Sequence, residues 1–105
     1  MVLSSELRRY IENKIYAECP MCQVVIYDEL PLYPNNYEVK IHYYAFGVQK
    51  GVANHFPYEQ SVQSLDCHIN SLLHFLRQCI EEDKSKREEK RYYGSTTRCL
   101  NTSKH

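Results

Sequence analysis

Between Tyr37 and Phe46 the chain alternates without interruption: Tyr37, Val39, Ile41, Tyr43 and Ala45 fall on one side, Glu38, Lys40, His42, Tyr44 and Phe46 on the other. Successive strand side chains point to opposite faces, so this run reads as a β-strand with one face on a core and one in water. No other segment of the sequence carries so clear a strand pattern. Its apolar face then needs a covering layer.

Material for that layer lies on either side in sequence. Leu3, Leu7, Tyr10, Ile11 and Ile15 cluster at helical spacing, which predicts a helix from Ser4 to about Glu18. Ser4 or Ser5 can cap it, Glu6 suits its first turn, and Pro20 ends it. Lys14 sits among the apolar positions and must extend its charge past them. Val62, Leu65, Ile69, Leu72, Leu73, Phe75, Leu76, Cys79 and Ile80 mark a second helix from Ser61 to Ile80. They fill an arc of roughly 160°, wide enough to lie on a sheet beside another helix. Of the eleven residues from Glu81 to Arg91, ten are charged, five of each sign, so the helix is expected to continue as a solvated extension. Glu82–Lys86 and Asp83–Arg87 support it as i,i+4 pairs, and Gly94 supplies a stop.

Two further strands complete the sheet. Gln23 to Tyr27 is a β-branched run, followed by a turn-rich connection through Pro31, Pro34, Asn35 and Asn36. Gly47 and Gly51 bracket an expected hairpin turn, with a short strand over Val52 to Phe56 ended by Pro57. The order is α-β-β-β-α. The fold class expected is a small single α+β domain, a three-stranded antiparallel sheet packed on two helices. The globular part spans 1–80, the charged helical extension 81–93, and 94–105 is expected to be a disordered tail.

Chemistry is sparse. A chain of 105 residues with 43% apolar and 25% charged side chains is an ordinary globular domain. Thirteen basic and thirteen acidic residues cancel, which argues against a dedicated polyanion binder. No apolar run is long enough for a membrane span, and Glu6, Arg8 and Arg9 leave no expected secretory leader. Five irregularly spaced cysteines then point to free thiols in a reducing, cytoplasmic setting.

Cys19-Pro20-Met21-Cys22 is the one spacing with a chemical meaning, half a zinc site or a dithiol. A redox thiolate is favoured at a helix start, and this pair follows a helix end. A zinc site needs two more ligands. Cys67 and His74 share a helix face but lie about 10 Å apart along the axis, and His68 and Cys79 about 16 Å. Any site would therefore draw on His42, His55 or Cys99 as well. Ordinary small residues at a helix–strand junction remain the reading for Cys19 and Cys22, with zinc as the alternative cofactor. Cys67 and His68 are adjacent on a helix and point about 100° apart, so they do not form a nucleophile–base pair. His74 reads as a solvated residue and Cys79 as core.

The element order resembles that of the double-stranded-RNA-binding domain, which lays two helices on a three-stranded sheet. That family grips phosphate with a lysine cluster opening its second helix, whereas residues 51–76 here hold no Lys or Arg. In size and layout the chain is also similar to small phage-encoded inhibitors, including some anti-CRISPR proteins. That likeness implies a viral or mobile-element accessory protein.

The remaining signal is aromatic: ten Tyr, three Phe and no Trp. His42, Tyr44 and Phe46 on the wet strand face are either covered by a loop or tail or form a contact surface, which Tyr92 and Tyr93 could join. The function expected is a non-catalytic protein-binding or regulatory domain anchored by those residues, with 81–93 giving selectivity or self-association. Its alternatives are a nucleic-acid-associated protein using Lys84, Lys86, Arg87, Lys90, Arg91 and Arg98, and a zinc-stabilised module.

Overall fold

The computed structural model describes residues 3–94, with side chains through Lys86. Its elements are α1 (Ser5–Glu18), β1 (Gln23–Tyr27), β2 (Asn36–Ala45), β3 (Val48–Pro57) and α2 (Val62–Gly94), the expected α-β-β-β-α order. The three strands form one antiparallel sheet in the order β1-β2-β3.

The alternation of β2 sets the layers. Tyr37, Val39, Ile41 and Tyr43 are buried, and Val24 of β1 with Val52 and Phe56 of β3 extend the same face through cross-strand register. Against it pack Ile11 and Ile15 of α1 and Leu65, Ile69, Leu72, Leu73 and Leu76 of α2. Each fully buried aliphatic or Phe side chain contributes about 1.5–3 kcal/mol, so this shared core holds the layers together. Ser4 caps α1, its hydroxyl accepting from the Leu7 N–H at 3.2 Å. Polar contacts then lock the helices: Tyr10 donates to Asp66 at 2.6 Å, Lys14 lies 3.7 Å from Asp66, and Arg77 lies 3.2 Å from Glu18. Arg8 clasps Asp28 at 2.6 Å and so ties α1 to the chain leaving β1. No described helix is long and apolar enough to cross a membrane.

Four expectations change. The hairpin turn is the two residues Phe46-Gly47, so β3 begins at Val48 and Gly51 lies inside it, opposite His42. A Cβ on Gly51 would approach Lys40 Cε to 3.3 Å, so a residue without a side chain fits this crowded position. Phe46 consequently leaves the strand and enters the turn. On α2, Val62 and Phe75 are exposed, because Val62 opens the helix and Phe75 lies beyond the stripe that meets the sheet. Cys79 is half-buried, packed against the core rather than in it. Finally, Cys19 and Cys22 form a disulfide instead of standing as free thiols. The turn after α1, closed by the Cys22 N–H on the Cys19 carbonyl at 3.3 Å, brings their Cα atoms to 5.7 Å, well within disulfide reach.

Candidate functional site

The turn from α1 into β1 and the end of β2 lie against the middle of α2 beside the β2–β3 hairpin, and between them is an apolar cleft of about 390 Å³. Its walls are the Cys19–Cys22 turn, the end of β2 from Tyr43 to Phe46, and Ile80, Asp83 and Lys84 of α2. Each wall follows from local sequence. Pro20 stops α1 and turns the chain, leaving Met21 at the tip, 91% exposed. Strand alternation sends Tyr43 inward, 6% exposed, and Tyr44 outward, 71% exposed.

Phe46 is the least ordinary of the lining residues. It has φ of 56° and Gly47 has φ of 82°, as a two-residue hairpin turn of the primed kind requires. Asn, Asp or Gly is the usual choice at both positions; a bulky side chain there costs about 1 kcal/mol or more. The Phe46 ring is nevertheless half-exposed beside the cleft.

One carboxylate borders the cleft. Asp83 accepts from Lys50 at 2.7 Å, and the Tyr43 hydroxyl donates to it at 3.5 Å. Burial, and then the Asp83 charge, push the Tyr43 hydroxyl above its ordinary pKa and hold it protonated. Lys50 neutralises the acid. The cleft therefore offers apolar contact with a hydrogen-bonded wall.

The sequence-predicted residues divide between places. Tyr44 and Phe46 line the cleft together with Cys19 and Cys22. His42 does not line it; half-buried on the open sheet face, it sits between Gln23 and Gly51. The side chains of Tyr92 and Tyr93 lie outside the described residues, as do those of Arg87, Lys90 and Arg91 and all of 95–105 with Cys99 and Arg98. Cys19 and Cys22 are bonded to each other, so in this form neither offers a thiolate to a metal. Among the described residues no group of three or more His, Cys, Asp and Glu converges. His68 turns to the core, its Nδ1 2.8 Å from the Ser64 carbonyl and its ring 5.3 Å from that of Phe56, while Cys67 is exposed.

Met21, Tyr43, Ile80 and Asp83 were missing from the sequence reading of the site. They come from a turn, a strand and a helix, and apart from the i,i+3 pair Ile80 and Asp83 no spacing in the chain links them. No protein-family model matches the chain, and comparisons with curated proteins and with solved structures give no match either.

Proposed function

We propose that this domain is a non-catalytic binding module that holds a protein partner at the cleft between the Cys19–Cys22 turn and the β2–β3 hairpin. Phe46 carries the reading: a left-handed backbone holds its aromatic ring half-exposed at the rim of an apolar hollow, where it suits an anchor for a partner. Exposed Tyr44 and Met21 beside it give the centre of a small interface its usual composition. A cytosolic setting belongs to the same reading. Cys67 is an exposed free thiol, as such a setting expects, whereas the Cys19–Cys22 disulfide would stand there only transiently.

The test is retention of a partner from a lysate by wild type, by a Tyr44→Ala/Phe46→Ala double variant and by His42→Ala. Loss in the first variant and retention in the second are expected, because His42 lies off the cleft. Equal retention by all three would remove the cleft from the function. A nucleic-acid partner held by Lys84, Lys86 and the basic residues beyond them is the competing proposal. It requires binding that weakens steeply with salt, which apolar contact does not. A zinc-stabilised form, with Cys19 and Cys22 reduced, requires stoichiometric metal in protein purified without a tag.

A further inference from the structure

β1 is shorter than its neighbour. Its first pair is Gln23 with His42, so beyond that point Tyr43, Tyr44 and Ala45 pair with Lys50, Gln49 and Val48 of β3 on one side only. On the other side, among the described residues, no strand pairs with them, and the apolar cleft lies there. We propose that this edge receives an extended segment of a protein partner, which pairs with the outward N–H and carbonyl of Tyr44 and lays an apolar side chain between Met21, Phe46 and Ile80. The proposal rests on the binding reading above and names the class of partner.

Strand addition needs an open edge for main-chain hydrogen bonds and a hollow for alternate side chains. Among the described residues, both occur together only here. Along β1 the Val24 N–H is taken by the Tyr16 hydroxyl at 3.0 Å. Along β3 the His55 N–H is taken by Asn54 Oδ1 at 2.9 Å, Lys50 is drawn to Asp83, and Pro57 closes the strand. Charges, local caps and proline are the devices that blunt a sheet edge. The end of β2 carries none of them.

The opening selects the occupant: a cleft of about 390 Å³ beside a strand edge with one outward main-chain donor and acceptor suits an extended segment of a few residues. Charge narrows it further. Lys50 satisfies Asp83, so Lys84 is the charge left at the rim among the described residues. It favours a segment in which an acidic residue flanks the apolar one.

Selection of random linear dodecapeptides displayed on phage against the intact oxidised protein tests this. Enriched sequences should lack proline, alternate apolar with polar residues and carry an acid. A synthetic peptide of that sequence should slow amide exchange at Tyr44, whose N–H alone in Tyr43–Ala45 faces the open edge, at least ten-fold. Methylating its backbone nitrogens, which removes donors and leaves side chains, should weaken it at least ten-fold. Met21→Glu should do the same, and its site is too exposed for the change to disturb folding. Peptides indifferent to N-methylation, or leaving exchange at Tyr44 unchanged, would overturn strand addition and leave a side-chain pocket. Failure to enrich any peptide, while a lysate partner still requires Phe46, would overturn it in favour of a folded partner. Binding indifferent to Tyr44 and Phe46 would instead bring down the cleft reading itself.

Discussion

Tyr37 and Phe46 show how single residues depart from what folding alone favours. Tyr37 is fully buried between the rings of Phe56 and Tyr58, at centroid distances of 5.6 and 5.1 Å, and its hydroxyl has no hydrogen-bond partner. The Gln60 side chain acts on that hydroxyl only from outside hydrogen-bond geometry, with one amide N–H on the Pro57 carbonyl and its oxygen accepting from Ser64. A buried unsatisfied hydroxyl costs about 1–3 kcal/mol, and its removal with the ring kept recovers part of that. Tyr37→Phe should therefore raise stability by about 1 kcal/mol, read as a rise in melting temperature of about 4–8 °C. A fall of similar size would mean that the hydroxyl is satisfied in solution. At Phe46 two terms oppose. Asn relieves about 1 kcal/mol of backbone strain but gives up the half-buried ring, itself worth about 1 kcal/mol. Phe46→Asn should leave urea stability within about 1 kcal/mol of wild type while abolishing partner retention. Phe56→Ala, a deletion from the closed core, should cost about 3–5 kcal/mol in the same assay.

Among the elements, the turn from α1 into β1 is the one that chemistry can switch. The Cys19–Cys22 bond closes a ring of only four residues, for which chain entropy gives about 2 kcal/mol of stabilisation. The core of Ile11, Ile15, Val39, Ile41, Phe56 and the α2 leucines does not depend on it. Reduction should accordingly lower the melting temperature and leave the far-ultraviolet dichroism intact. Loss of secondary structure on reduction would show that the turn, rather than the layered core, organises the domain. The elements themselves were legible in the chain to different degrees. β2 was plain from its period of two, and α1 from its spacing and caps. The sequence predicts too short a β3 because Val48 to Gly51 has no alternation of its own; its pairing with Ala45, Tyr44, Tyr43 and His42 makes it a strand.

For the whole molecule, ionisable groups bound stability on both sides of neutrality. The Arg8 guanidinium holds the Asp28 carboxyl below its ordinary value of 3.8, so this contact stabilises above that pH and is lost as pH falls through the lowered value. Tyr10, Tyr37, Tyr43 and Tyr58 stand above the ordinary 10.0, Tyr10 chiefly through its bond to Asp66 and the others through burial. Their protonated forms are favoured in the fold, so that stability is present below the unfolded value and is lost as pH rises through the folded ones. Urea unfolding across pH should thus show a plateau between about 4 and 10. Tyrosinate absorbance should lag that of the unfolded chain at the alkaline edge. Coincident tyrosinate titrations of the folded and unfolded protein would refute the alkaline half.

The amino-acid sequence by itself determined the order of elements, the buried face of β2 and the principal core stripe of α2. Those rest on periodicity, which is local and is written into each segment. Tertiary structure alone decided the cleft, the β2 edge left open by a short β1, and the pairing of Asp83 with Lys50 of β3. Such features arise where segments distant in sequence stop relative to one another, and no single segment carries a record of where another one ends.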